Sequence, residues 1–421
     1  MTMTDASCCT TTTTTTTSRR RFLGTAAAAG ALIGFGADQI STQLAYAAGP
    51  YSGDVFVLLS LRGGFDGLSA IVPAFDADYY AARPTIAVPR SQLLGDDPRF
   101  GLHPALKPLL PLWNAGTFGA IHAAGQPTPN RSHFAAMEEL ERAAPGTSVR
   151  TGWLNRVLGG LGATTPMNGM AVGSFMPARV MAGPSPELDL SSIDGFALAG
   201  EAKYQPMTAT MTGLYAGVPG IMGDTATRLA SALGTMKTAT AAQPASSTQY
   251  PANPLGKALR DVARLIKSDV GLMSACVDSG DWDMHENLGT AAPGKKMYDN
   301  LTQLAAALAA FAADLGPDAM KRVTLITVSE FGRRVAENGS AGLDHGYGNA
   351  MLMLGGSING GQVHGTWPGL GDRSLVDGDL KVTTDYRAVI AEILQKRCGL
   401  TNVGSVFPNV TPTTLGVVKS R

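Results

Sequence analysis

Asp283 and His285 stand two residues apart in the stretch SGDWDMHENL (279–288), a carboxylate and an imidazole able to bind a divalent cation without sulfur. In extended backbone residues i and i+2 point the same way, so this pair can converge on one ion. Alone, an Asp-x-His in a loop reads more readily as a solvated turn than as a ligand pair. Four further residues shift the balance: Asp66 in RGGFDG, Glu330 at the end of VTLITVSE, and Asp344 with His345 in SAGLDHGYGN. Adjacent residues diverge in extended chain, so Asp344 and His345 suit two ions, or one ligand and the partner that orients another. Four carboxylates and two imidazoles with no thiolate fit a hydrolytic centre of one or two ions of zinc, manganese, magnesium or iron.

A nucleophile is the next requirement. Ser132 in Pro129-Asn-Arg-Ser-His133 precedes the helical pattern HFAAMEELERAA, where helix N–H groups favour an anion, and Arg131 or Arg62 can neutralise one. The competing reading of Ser132 is a plain helix cap. Asp66 equally reads as a tie for its glycine loop, and Glu330 as an ion-pair partner of Arg333 or Arg334. His103, His122 and His364 have no acidic neighbour at ligand spacing and read as core or surface residues. The chain carries no G-x-S-x-G elbow and no P-loop, and RGGFDG lacks the dinucleotide spacing G-x-G-x-x-G.

These residues need elements to hold them. DVFVLLSL (54–61), FGAIHAAG (118–125), GLMSACV (271–277), VTLITVSE (323–330) and NAMLMLGG (349–356) are apolar runs of strand length. Helical spacing of apolar residues marks 255–270, 301–315 with Gly316-Pro317 as its stop, and DYRAVIAEILQKRCG near the end. Alternating strands and helices predict an α/β fold with a mostly parallel sheet. Ligands of such sheets collect at the carboxyl ends of the strands, where Asp66, Asp283, His285, Glu330, Asp344 and His345 would all fall. Residues 160–252 read as a cap or an insertion, with 236–254 a surface loop.

The first 47 residues are read as an address. Ser18-Arg-Arg-Arg-Phe-Leu-Gly24 leads into GTAAAAGALIGFGA and ends near Ala45-Tyr-Ala47, a pattern that resembles the twin-arginine export signal. The expected location is periplasmic or secreted, with the twin-arginine translocase as partner during export. Beyond the signal the chain has 30 basic and 31 acidic residues, so nothing favours nucleic acid or an electrostatic membrane anchor. Cys276 and Cys398 read as core thiols.

LRGGFDGLSAIVP, NRSHFAAMEEL, GWLNR, WDMHENL, TVSEFGRRVAENGS, LDHGYGNAM and TTDYRAVIAEIL, in that order behind such a signal, resemble an exported bacterial family. It is the domain-of-unknown-function family numbered fifteen hundred and one, related to the alkaline phosphatase and sulfatase superfamily. The resemblance implies an α/β/α sandwich with a metal site at the carboxyl edge. It implies Asp66 as the first-strand ligand, Ser132 at the nucleophile position, Asp283 and His285 as one metal-binding segment, and His345 as a last imidazole. Ser329-Glu330 stands where the superfamily usually has an Asp-His pair, and neither mature cysteine lies in Cys-x-Pro-x-Arg, the context that formylglycine-dependent sulfatases need. The expectation is a metal-dependent hydrolase of small anionic esters. Its alternatives are a non-catalytic hydrolase-like scaffold acting as an exported binding or assembly partner, and a mutase or transferase.

Overall fold

The computed structural model describes residues 51–173, 178–198, 201, 207–242, 246–411 and 413–421; the export signal read at residues 1–47 lies outside them. Its strands are β1 (Val55–Leu61), β2 (Ile71–Val72), β3 (Gly101–Leu102), β4 (Phe118–Gly125), β5 (Gly169–Val172), β6 (Leu188–Leu190), β7 (Ser274–Ser279), β8 (Val323–Val328), β9 (Asn349–Gly355), β10 (Val363–His364) and β11 (Thr384–Asp385). Nine of them form one sheet in the order β10-β4-β9-β8-β1-β7-β5-β6, with β11 also paired to β4. Every pairing in it is parallel except those of β9, which runs against both β4 and β8.

The apolar runs are continuous because both faces of the sheet are covered. Along β1, Val55, Val57, Leu59 and Leu61 enter one core while Phe56 and Leu58 enter the other. Strand β9 divides the same way, with Ala350, Leu352 and Leu354 against Met351 and Met353. Seven helices frame the sheet and the site: α1 (His133–Arg142), α2 (Trp153–Gly160), α3 (Met207–Tyr215), α4 (Ile221–Ala242), α5 (Pro254–Lys267), α6 (Lys296–Met320) and α7 (Tyr386–Ile393). Leu259 of α5 and Leu301, Leu308 and Phe311 of α6 fill the first core; Trp153 of α2 and Val389 and Ile393 of α7 fill the second. The result is the three-layer α/β/α sandwich with a mostly parallel sheet. Cys276 and Cys398 are free and buried.

Several boundaries differ from the sequence pattern. Strand β8 ends at Val328, which leaves Ser329 and Glu330 beyond the ladder, and β7 begins at Ser274. Gly316 (φ 69°) breaks α6 where a stop was expected, but Pro317 then opens one more turn that ends at Met320. The segment expected as a surface loop from residue 236 is helical in α4 as far as Ala242. The stretch 160–252 also supplies β5 and β6, which close one side of the sheet.

The reversal of β9 shapes the carboxyl edge of the sheet. A connection between antiparallel neighbours begins and ends at one edge, so the whole of 329–348 is kept at the carboxyl end of β8. There it folds back on itself, with Arg333 bridged to His345 and the Gly346 N–H donating to the Gly332 carbonyl at 2.9 Å.

Candidate metal centre

Three connections and one helix start meet at that edge. Leu343 N–H donates to the Met284 carbonyl (3.0 Å) and Leu288 N–H to Ala341 (2.9 Å), which docks the loop after β7 against the loop after β8. The buried Arg333 guanidinium ties in the third loop, donating to the carbonyls of Gly63, Gly64 (2.6 Å), Trp282 (3.2 Å) and Leu343 (2.8 Å), and to Asp283 Oδ1 (2.6 Å). Gly63 has φ 116°, and a Cβ there would lie 2.7 Å from the Asp283 amide, so two loops touch only because this residue has no side chain.

Asp283 is the centre of the cluster. Its Oδ1 lies 3.0 Å from His285 Nε2 and 3.4 Å from His345 Nε2, and its Oδ2 lies 3.5 Å from His133 Nε2. His285 Nε2 and His345 Nε2 are 2.9 Å apart. Among the described residues His133, Asp283 and His345 offer ligand atoms all within 4.8 Å of one another. Partial burial acts to raise the Asp283 pKa, but the Arg333 hydrogen bond and charge, with His285 and His133 beside it, hold the carboxyl below its usual range.

The far sides of the three rings decide what the near sides can do. His133 Nδ1 lies 2.9 Å from Glu330 Oε1, His285 Nδ1 lies 3.2 Å from Asp344 Oδ1, and His345 Nδ1 lies 2.8 Å from the Arg131 carbonyl. A carboxylate or a carbonyl only accepts, so each neutral ring carries its proton on Nδ1 and turns a bare Nε2 inward. His345 stays neutral readily: burial lowers its pKa, and this outweighs the bond to the Arg131 carbonyl. Asp344 is held ionised by Asn338 and His285. His133 Nε2 is buried without a hydrogen-bond partner among the described residues.

Each residue singled out in the sequence has a definite place. Asp283, His285 and His345 come together. Asp344 stands behind His285, and Glu330 behind His133, where Oε1 also accepts from Gly63 N–H (2.8 Å) and Oε2 from Ser329 Oγ (3.0 Å). Glu330 therefore holds the His133 ring instead of pairing with Arg333, whose ion pair is with Asp283. Asp66 is not brought to the cluster. It is 4% exposed, and both its oxygens accept from Arg83, at 2.7 and 3.0 Å; burial acts to raise its pKa, but the Arg83 charge wins and lowers it.

Arg62 pairs with Glu141 and Asp278, each at 2.8 Å. Arg131 turns its guanidinium to the buried Asp379 and presents only its carbonyl to the cluster, so it is not free to neutralise a substrate there. Ser132 occupies the N-cap position of α1, yet its exposed hydroxyl makes no capping bond; its N–H donates to Asn130 Oδ1 (3.0 Å). His133 was missed in the sequence because its acidic partners lie 150 and 197 residues away. The one local signal was its place beside Ser132 at a helix start.

The His/Asp cluster lies at the carboxyl edge of an α/β/α sandwich, the edge where ligands of such sheets collect. The chain belongs to the family described as Protein of unknown function (DUF1501), whose model matches residues 112–410. No curated protein matches it in sequence. Solved structures it is similar to include the C-terminal periplasmic domain of EcEptC from Escherichia coli in complex with Zn (8% identity, 72% of this chain and 73% of that one, TM-score 0.34). PsFucS1 sulfatase from Pseudoalteromonas sp. is another, at 13% identity, 88% and 74% coverage and TM-score 0.38. Among the described residues no helix is long and apolar enough to cross a membrane.

Proposed function

We propose that this chain is an exported metal-dependent hydrolase of small anionic esters, phosphate esters first. The observation that carries the reading is the set of acceptors around Asp283. Nε2 of His285 and of His345 meet Asp283 at Oδ1 and Nε2 of His133 meets it at Oδ2, each ring with its proton-bearing side tied elsewhere. Lone pairs 2.9 Å apart, on His285 and His345, repel unless a proton or a cation lies between them. Three nitrogens and one oxygen suit zinc best, with iron and manganese behind it.

His133, Asp283, His285 and His345 would hold the ion. A divalent ion there supplies Lewis acidity toward an ester oxygen. Glu330, Asp344 and the Arg131 carbonyl fix the ring orientations, and Arg333 keeps Asp283 ionised and in place. Ser132 offers the attacking hydroxyl: it is exposed, uncommitted to its helix cap, and next in sequence to His133. Through the twin-arginine signal the chain would reach the periplasm or the exterior, with the translocase as its partner.

Metal analysis of the purified mature chain, paired with hydrolysis of an aryl phosphate, tests the reading. Wild type should hold about one zinc-class ion per chain. Ser132→Ala should keep that ion and lose roughly a thousandfold or more in turnover. Turnover undiminished in Ser132→Ala would assign the attack to water instead. A chain that takes up no zinc, iron or manganese and hydrolyses nothing is the non-catalytic scaffold, and the proposal fails.

A further inference from the structure

A groove of about 530 Å³ opens at the carboxyl end of β7, beside the loop that continues into Asp283. The start of α5 and the first turns of α6 form its opposite wall. This is the size of cavity that takes a small organic ligand.

Its lining has a different chemistry from the metal cluster. Three carboxamides, Asn253, Asn300 and Gln303, stand with the Ser279 hydroxyl and the Asp281 carboxylate, and no basic side chain is among the described residues that line it. Asp278 also lines the groove, but its charge is met by Arg62. A carboxamide holds a donor and an acceptor side by side, which matches a pair of neighbouring hydroxyls, each able to give and receive. A second anionic group would meet carboxylates here and no cation. Asn253 is committed to the fold, its Oδ1 accepting from Gly256 N–H (2.7 Å) and its Nδ2 donating to Gln303 Oε1 (2.8 Å); Asn300 Nδ2 donates to the Asp281 carbonyl (2.8 Å), which leaves Gln303 Nε2 and Asn300 Oδ1 to meet hydroxyls.

Trp282 is the one aromatic residue among the described residues of the lining. It lines the groove and is 2% exposed, held edge-on to Phe65 at 4.9 Å, yet its indole N–H has no hydrogen-bond partner among the described residues. Buried donors are seldom left so.

The geometry points to a subsite for an uncharged, hydroxyl-rich group, a sugar or polyol, that forms the alcohol part of the substrate. The link to an ester rests on the hydrolase reading; the binding itself uses none of the residues assigned to the metal. The test exposes the mature chain, zinc-loaded and chelated, to an array of neutral di- and trisaccharides, with phenyl phosphate and spermidine as charged controls. One or more neutral saccharides should bind both forms. Gln303→Leu, a change on the exposed face of α6, should weaken that binding roughly five- to tenfold at an unchanged melting temperature. Asp281→Asn should leave it within about twofold, because no charge is recognised. Binding of no neutral saccharide, equal binding by Gln303→Leu, or capture of spermidine alone that Asp281→Asn abolishes would each overturn the subsite. Metal content of the same samples reports on the hydrolytic centre separately.

Discussion

Five of the six histidines of this chain fall into two regions that use the same ring in opposite ways. At the carboxyl edge, His133, His285 and His345 anchor Nδ1 and leave Nε2 free toward one carboxylate. In the interior, His122 of β4 commits both nitrogens to backbone: Nδ1 accepts from Ala123 N–H (3.0 Å), and Nε2 donates to the Ile71 carbonyl (2.9 Å). His103 Nδ1 likewise accepts from Ala105 N–H (3.1 Å). Burial lowers the pKa of both buried rings to about 4. Histidine content says little about function; whether Nδ1 donates or accepts, and so which nitrogen is left bare, says a great deal.

Removing a ligand should break the comparison most sharply. His133→Ala or Asp283→Ala is expected to lower metal affinity by more than about a hundredfold, beyond the loss typical for a residue that only orients a ligand. Equilibrium dialysis against zinc measures it. A variant that still retained the metal as wild type does would place His133 with the structural rings.

The buried set makes a prediction about acid. His122 has a folded pKa of about 4 against an ordinary value near 6.5. Between those values the unfolded chain holds the proton and the folded chain does not, so stability falls as pH drops from 6.5 toward 4. At ~1.4 kcal/mol per pH unit this ring accounts for about 3 kcal/mol. Denaturant unfolding across that range should show the slope, and His122→Asn, though less stable at pH 7, should lose this ring's share of it while His103 keeps its own. An unchanged slope in the variant would mean that His122 is already protonated in the fold.

The strands were legible because a sheet covered on both faces demands continuous apolar runs, and the edge of the site followed from where those runs end. Asp283 and His285 were legible as neighbours because period-two geometry is local. The rest was not, for a physical reason. Arg83 meets Asp66 from 17 residues on and Glu330 meets His133 from 197 residues away, and no periodicity encodes contacts made by loop docking. The antiparallel β9 was hidden too, since NAMLMLGG reads the same in either direction, yet it is what returns His345 to the edge. The cap or insertion read for 160–252 hid the last two strands on that side of the sheet because β5 and β6 have only four and three residues, too short for a period.

Glu330→Gln is the finest test of the division between the two sets. Glutamine keeps the size and an acceptor oxygen, so the Gly63 N–H and His133 Nδ1–H can both still be satisfied, and the fold should hold. What is lost is the negative charge behind His133, which makes its Nε2 a stronger donor to a cation. Zinc affinity should fall about tenfold, the lower end of the range for residues that orient a ligand, with the melting temperature of the metal-free chain nearly unchanged. If the two move the other way, stability falling and affinity staying put, Glu330 is a structural anchor for the Gly63 turn. His133 would then be oriented by its helix alone.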